Sequence, residues 1–240
     1  TIFCTYQLLN ILSNHSWNAL LMDDYDYVMP LPTRSKGGVA YIYSPFFISQ
    51  LGVFSKKEIS KEIVAAFFKA IPKKFKHIDL LLNSANDASL VEPHISTLIS
   101  HELDLRPSYE ILHSGFSQNT KRNIKSAQKH SLTLVRDHIS VEEIIKLFCE
   151  NRGQAKEVHY HSTDYETLAK AAAVLKNLNR LETYGVKTED GHNIAGGLFV
   201  RDEQRYWFWF SGRNEQCSSL WMNSSNITRN NHICWILTVQ

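Results

Sequence analysis

The chain has 240 residues, of which 43% are hydrophobic and 21% are charged, and its formal net charge at pH 7 is +2. This length and composition indicate a folded protein with one large or two small domains, and they exclude a chain that is disordered throughout. The small net charge excludes a protein that binds polyanions over its whole surface. Any anion site must therefore come from a local cluster of cations.

Signals for export, membrane insertion and covalent cross-linking are sparse. No apolar run approaches the roughly 20 residues that span a bilayer, and the first residues lack the pattern of a signal peptide. These features predict a cytoplasmic protein with no membrane partner. The cysteines are far apart and form no CxxC pair, which predicts reduced thiols and no metal site. They are Cys4, Cys149, Cys217 and Cys234.

In the first half, hydrophobic periodicity predicts two helices and several strands. The first helix covers 5–12, and the second ends at Ala70 after a cap at Ser55 or Ser60. The segment "TRSKGG" at 33–38 is predicted to be a loop, with Gly37-Gly38 as the breaker. Strands are predicted at 17–22, 25–31, 39–44, 77–83 and 108–113.

The second half follows a clearer order. The basic segment "FSQNTKRNIKSAQKH" at 116–130 is predicted to be a helix capped by Ser117 or Asn119, and a strand follows at 131–137. Ser140, with Glu143 three residues later, predicts a capping box at the start of the next helix. A further helix, capped by Thr163 or Asp164, ends near Asn177. The strands at 181–188, 192–202 and 205–212 are separated by short turns and predict an antiparallel meander, so the fold class is α+β.

The basic segment places its cations on one side of the predicted helix. At about 100° per residue they occupy roughly a quarter of the circumference, opposite Phe116, Ile124 and Ala127. We call Lys121, Arg122, Lys125 and Lys129 the basic stripe. The segment contains no acidic residue to form i,i+4 pairs. Two interpretations are open: a solvated helix face, or a surface that binds an anion such as a phosphate.

Three other segments admit a structural and a functional interpretation. Gly196-Gly197 interrupts a strand pattern and predicts a bulge or a close backbone approach, and core packing against a neighbouring bulky side chain explains it equally well. The unbroken aromatic run 206–210 predicts a central strand covered on both faces, rather than a stacking surface for nucleic acid. His159 or His161, in the sequence "HYH", or the nearby Glu157 is either a general base or part of a surface loop. No metal-ligand spacing accompanies them.

Four blocks, taken in order, resemble the bacterial GNAT-fold N-acyltransferases of the FemAB-like kind. The blocks are "WNALLMDDYDYVMPLP", "YIYSPFFISQLGVFS", "FSQNTKRNIKSAQKHSL" and "TEDGHNIAGGLFVRDEQRYWFWFSGRNE". The resemblance covers about residues 6–216. It implies a GNAT-like α+β fold with a mixed, largely antiparallel sheet flanked by helices and two pseudo-repeated units.

The resemblance also sets the expected domains. A first GNAT-like unit would cover 1–115, without its start because the chain begins without Met, and a second would cover 116–216. The segment 217–240 contains no glycine and only one formally charged residue, Arg229. We therefore expect it to be a divergent or truncated tail that leaves the second unit incomplete.

The chemistry implied by the resemblance moves an acyl or aminoacyl group from an activated donor to an amine acceptor. The donor would be a small acyl-CoA or an aminoacyl-tRNA. By resemblance, the strand 205–211 would lie beside the donor carbonyl, a phosphate loop would follow at 212–219, and Phe210, Ser211 and Gly212 would lie near the transferred group. Lys121, Arg122 and Lys125 would contact an anionic part of the donor or acceptor. No general base is assigned.

Two other functions are consistent with the same residues. The chain could be a non-catalytic GNAT-like remnant or binding domain without a complete donor site, as the segment 217–240 suggests. It could also be an RNA-binding module that uses the basic stripe on phosphates, with an affinity that falls steeply with salt.

Overall fold

The computed structural model describes residues 2–91, 95–156, 158–203, 205–220 and 235–238. The chain divides into two units, Thr1–Leu98 and Ile99–Gln240, which are described separately. The division expected at residue 115 falls at the C-terminal end of a helix inside the second unit.

The first unit is built on a sheet and two α-helices, one before the first strand and one before the last strand. After a turn of 3₁₀ helix at Ile2–Cys4, its elements are α1 (Tyr6–Leu12), β1 (Trp17–Met22), β2 (Tyr27–Lys36), β3 (Val39–Tyr43), β4 (Phe54–Ser55), α2 (Lys61–Ala70) and β5 (His77–Asp79). The strand order is β1-β2-β3-β5, and β4 pairs with β2. All these pairs are antiparallel except β3 with β5. Met29, Leu31, Ile42 and Phe67 are fully or almost fully buried and form its core.

The second unit contains a six-stranded sheet. Its elements are β6 (His101–Asp104), α3 (Tyr109–Gly115), α4 (Gln118–Lys129), β7 (Thr133–Arg136), α5 (Val141–Glu150), α6 (Ser162–Asn177), β8 (Leu181–Lys187), β9 (Asn193–Arg201), β10 (Arg205–Arg213), α7 (Glu215–Leu220) and β11 (Trp235–Thr238). The strand order is β6-β11-β10-β9-β8-β7, and only the β6–β11 pair is parallel. The α+β class, the mostly antiparallel sheets and the meander β8-β9-β10 are therefore confirmed.

Helix α5 packs closely on one face of this sheet because two strands present glycine to it. A Cβ atom on Gly196 would lie 2.7 Å from Ile144 Cγ1. A Cβ atom on Gly212 would lie 2.2 Å from the Ile144 carbonyl oxygen and 2.5 Å from the Phe148 nitrogen. Of the interpretations open for Gly196-Gly197, packing against bulky side chains is confirmed, because the atoms nearest to a Cβ on Gly196 belong to the side chains of Ile144 and Ile139.

Side chains cap three helices as the sequence predicted. Ser60 caps α2, and Ser117 Oγ accepts a hydrogen bond from the Thr120 amide at 3.1 Å. Ser140 Oγ accepts one from the Glu143 amide at 3.1 Å. Only the Ser140 half of the predicted capping box is found among the described hydrogen bonds. The Glu143 carboxylate instead accepts a 2.8 Å hydrogen bond from the Asn193 amide group, which ties α5 to β9.

Three local predictions were wrong. The segment 108–113, expected to be a strand, lies in α3, because Ser108 after Pro107 begins a helix with Glu110 in its first turn. The residues 33–36 are not a loop but extend β2 to a tight turn at Gly37 and Gly38, both at positive φ. The N-cap of α6 is His161, and Asp164 accepts a hydrogen bond from the His161 amide.

The remaining expectations concern larger features. The pseudo-repeat of the two units stays a prediction. Within the expected tail, residues 217–220 belong to α7 and 235–238 form β11, and the rest lies outside the described residues. In the described part of the chain, no helix combines the length and apolar character that crossing a bilayer requires.

Candidate functional site

The central strand β10 contains a bulge at the position where the sequence placed the donor. Phe208 is opposite Phe199 of β9, but Phe210 is opposite Leu198, so Trp209 is one extra residue in β10. A bulge locally disrupts the hydrogen-bond ladder and re-aims the strand, and bulges are frequent beside active sites. The described pairing of β10 with β11 covers Arg205 to Phe208.

The residues after the bulge point to different faces of the sheet. Phe210 is 8% exposed, and its ring centroid lies 4.8 Å from that of Phe148 in α5. Gly212 is buried against the backbone of the same helix. Ser211 lies between them, is exposed, and by strand alternation faces the opposite side. Of the three residues expected near the transferred group, Ser211 alone presents an exposed side chain, and donor contact at all three stays a prediction.

An aromatic cluster fixes the α5 face of the bulge. Phe148 contacts Tyr160 and Tyr165, and the Tyr160 and Tyr165 rings meet edge to face with centroids 5.9 Å apart. Burial raises the pKa of both phenols, and for Tyr165 a hydrogen bond with Cys149 adds to the increase. The "HYH" segment therefore contributes a packed tyrosine and, through His161, a helix cap. A catalytic role for either histidine stays a prediction.

A buried carboxylate, which sequence reasoning missed, lies on the face opposite α5. Glu182 of β8 is 5% exposed. It forms ion pairs with Arg136 of β7 at 2.8 Å and Arg201 of β9 at 3.4 Å. It also accepts hydrogen bonds from the Tyr184 and Tyr206 hydroxyls at 3.1 and 3.2 Å.

This cluster joins four adjacent strands, β7 to β10, through one side chain. Burial, followed by the charge of Glu182, raises the pKa of both tyrosines, so they stay protonated donors at neutral pH. Glu182 interrupts the apolar pattern of β8, and a carboxylate buried there needs cationic partners, so the sequence did contain a signal for this cluster. The two arginines lie far from it along the chain, so the sequence did not identify them.

The turn from β10 into α7 is already occupied by its own side chains. Asn214 Oδ1 accepts a 2.9 Å hydrogen bond from the Cys217 amide, and Glu215 lies in the first turn of α7. The residues 213–220 include no glycine. A cleft of about 550 Å³ lies beside this turn. Its lining residues are His130, Leu132, Thr188, Glu189, Asp190 and Gln216.

The basic stripe is present on α4 as predicted. Arg122 and Lys125 are exposed, and Arg122 contacts Asn119 at 3.1 Å within the helix. Lys121 donates a 2.8 Å hydrogen bond to the Ser114 carbonyl at the end of α3, so it also joins the two helices. The stripe and the residues 210–212 lie on separate elements, and anion binding by the stripe stays a prediction.

The fold defined by these elements is a mixed α+β fold with largely antiparallel sheets. It is similar to the solved structure of FemX, with a TM-score of 0.57 over 92% of this chain and 77% of the FemX chain, at 12% sequence identity. No protein family and no curated protein matches the sequence. The chain therefore has a FemX-like fold, in agreement with the FemAB-like resemblance of its sequence blocks.

Proposed function

We propose that the chain is an N-acyltransferase of FemAB-like type, which moves an aminoacyl or acyl group from an activated donor to an amine in the cytoplasm. The observation that carries the proposal is the FemX-like fold over 92% of the chain. The bulge in β10 supports it, because it lies in the strand that the resemblance placed beside the donor carbonyl.

The proposed reaction needs little covalent chemistry from the protein. The neutral amine attacks the donor carbonyl, a C–N bond forms, and the C–O bond of the ester or the C–S bond of the thioester breaks. The proton of the amine passes to a base or water, and the leaving oxygen or sulfur takes up a proton. Positioning of the donor and stabilisation of the oxyanion by strand amides near the bulge supply most of the rate enhancement.

The β10–α7 turn favours an aminoacyl ester over an acyl-CoA as the donor. Bound pyrophosphate needs free amides at a helix N-terminus, usually exposed by glycine. Here Asn214 occupies one amide, and Glu215 adds negative charge in the same turn. Glu189 and Asp190 add two more carboxylates in the neighbouring cleft. An RNA donor would instead place its phosphates on the basic stripe, where Arg122 and Lys125 are exposed.

A charge-reversal experiment tests the donor assignment. Arg122→Glu with Lys125→Glu should weaken binding of fluorescently labelled aminoacyl-tRNA by at least about tenfold, because each phosphate contact is charge-assisted. The control is Lys170→Glu with Lys176→Glu, which makes the same change in net charge on exposed residues of α6. Anisotropy at two salt concentrations would measure both. Equal losses in the two double variants, or no binding by the natural chain, would contradict the tRNA assignment.

A transfer assay tests the activity itself. The chain, incubated with tRNA that carries a radiolabelled amino acid and with a primary amine such as lysine, should transfer the label to the amine. A parallel reaction contains acetyl-CoA in place of the tRNA. Transfer from acetyl-CoA alone would support acyltransferase activity but would contradict the preference for an aminoacyl-tRNA donor.

A non-catalytic remnant is the second candidate function, and the same β10–α7 turn is the observation that favours it. A chain that binds neither donor and transfers from neither, while its circular dichroism and thermal unfolding show a folded protein, would establish the remnant. Because the binding and transfer experiments are separate, a chain that binds aminoacyl-tRNA without transferring its label would indicate a binding domain.

A further inference from the structure

Among the strands that the structure describes, β7 is an open edge of the six-stranded sheet. It ends the strand order and pairs with β8 on one side, from Thr133↔Lys187 to Arg136↔Tyr184. Thr133, Leu134 and Arg136 are exposed, and Leu134 is 66% exposed. An exposed edge strand with a large apolar side chain is a template for pairing with another strand.

The backbone groups that face away from β8 can be identified. The Asp137 amide donates to the Thr183 carbonyl at 2.8 Å, so Asp137 faces β8. In an antiparallel ladder, alternate residues face the same neighbour. Val135 and Thr133 therefore also face β8, whereas the amides and carbonyls of Leu134 and Arg136 face outward.

We propose that β7 pairs antiparallel with β7 of a second copy of this chain, about a two-fold axis at Val135. This register places Leu134 opposite Arg136 of the partner subunit and gives four backbone hydrogen bonds, two from each copy. It uses only the residues whose backbone faces outward. It avoids Leu132, whose amide is hydrogen-bonded to the Ala127 carbonyl at 3.5 Å.

The side chains of the strand are complementary to themselves in this register. Leu134 lies against the aliphatic part of the partner's Arg136, and Thr133 lies opposite the partner's Asp137. No two like charges face one another, which would be destabilising across a strand pair. The ion pair between Arg136 and Glu182 at 2.8 Å holds the guanidinium and leaves its aliphatic part beside the edge. This complementarity favours a second copy over an arbitrary extended peptide.

The interface involves five residues on each side, from Thr133 to Asp137, so the dimer is weak and its population depends on concentration. Sedimentation velocity of the full chain over a series of concentrations should show a monomer–dimer equilibrium. Leu134→Arg places like charges opposite one another and should raise the dissociation constant by at least about tenfold. Leu178→Arg, at an exposed leucine that ends α6, is the matched control and should dimerise like the natural chain.

A second variant tests the backbone pairing directly. Leu134→Pro removes an outward amide that does not bond to β8, so it should prevent dimerisation and leave the ladder between β7 and β8 intact. Circular dichroism checks the fold of each variant. A natural chain that is monomeric at every concentration, or a Leu134→Arg chain that dimerises as tightly as the natural one, would overturn the proposal.

Discussion

At the scale of single residues, the second unit depends on one buried charge and a few glycines. Glu182 is almost completely buried, yet it is compensated by two arginines and two tyrosine hydroxyls from neighbouring strands. A buried carboxylate without such partners would be strongly destabilising. The cluster therefore fixes the register of β7 to β10, and with it the position of the bulge at Trp209.

Gly212 is the residue at which substitution should be most costly. A Cβ atom there would lie 2.2 Å from a carbonyl oxygen of α5, and a helix backbone cannot yield as a flexible side chain can. Gly212→Ala should lower the free energy of unfolding by about 3 kcal/mol, the upper end of the usual cost of overpacking. Urea denaturation of the two proteins measures the difference.

Gly115→Ala is the matched control, because a Cβ atom at the end of α3 would have no neighbour within 4 Å. It should leave the stability unchanged or raise it by up to about 1 kcal/mol, since alanine favours helices. Equal stability of the Gly212→Ala and Gly115→Ala chains would show that α5 moves away from β10 without cost.

The sequence indicated that these glycines make close contacts, but it did not identify the residues that they contact. Gly196-Gly197 interrupts a good strand, so a close approach was foreseeable, but nothing in the local pattern identifies Ile144 as the neighbour of Gly196. The helix contact of Gly212 was missed because the resemblance placed this glycine beside a ligand. Gly212 lies opposite Gly196 in the pairing of β9 with β10. This pairing could have indicated the contact, but it can be deduced only if the bulge in β10 is known.

At the scale of elements, local signals were reliable where capping and periodicity agreed and failed where the segment was short. Ser140 and the amphipathic pattern after it predict α5, and the helix begins there. The segment 108–113 has only six residues, so alternation and helical periodicity cannot be distinguished. Ser108 stands at the N-cap position of α3, but its side chain makes no capping hydrogen bond, so the local sequence alone does not decide for the helix. Strand β2 passes through "TRSK" because the turn at Gly37-Gly38 pairs these residues with β3.

The cap of α5 provides a test at this scale. Ser140→Ala removes the acceptor of the Glu143 amide and should destabilise the second unit by about 1 kcal/mol. Ser162→Ala replaces the first residue of α6, which is exposed, and should change the stability by less than about 0.5 kcal/mol. Thermal unfolding measures the stability of both variants. An equal loss of stability would show that the capping hydrogen bond of Ser140 contributes nothing beyond the effect of removing an exposed hydroxyl.

At the scale of the whole molecule, the α+β class and the final meander were predictable because alternating strands and short turns are local features. The order of the strands was not. The parallel pairing of β6 with β11 joins segments more than a hundred residues apart in sequence, and no local pattern specifies such a pair. The division between Leu98 and Ile99 was also unforeseen, since the basic helix appeared to open the second unit, whereas β6 and α3 precede it there.

Because each unit contains its own buried residues, a core substitution can test whether each unit is destabilised by itself. The first unit is centred on residues such as Ile42 and Phe67, and the second on residues such as Ile144 and Trp207. Ile42→Ala removes a fully buried side chain and should cost about 3 kcal/mol. The exchange of backbone hydrogens, followed by mass spectrometry in mild urea, should then accelerate in peptides of residues 2–91 and not in those of β7 to β10.

Gly212→Ala is the reciprocal variant and should accelerate exchange in the second unit alone. Hydrogen exchange resolves this because cooperative units open with their own free energies, whereas a single spectroscopic transition averages them. If each substitution accelerated exchange equally in both units, the two would unfold as one cooperative body. The division at Leu98 would then describe geometry but not stability.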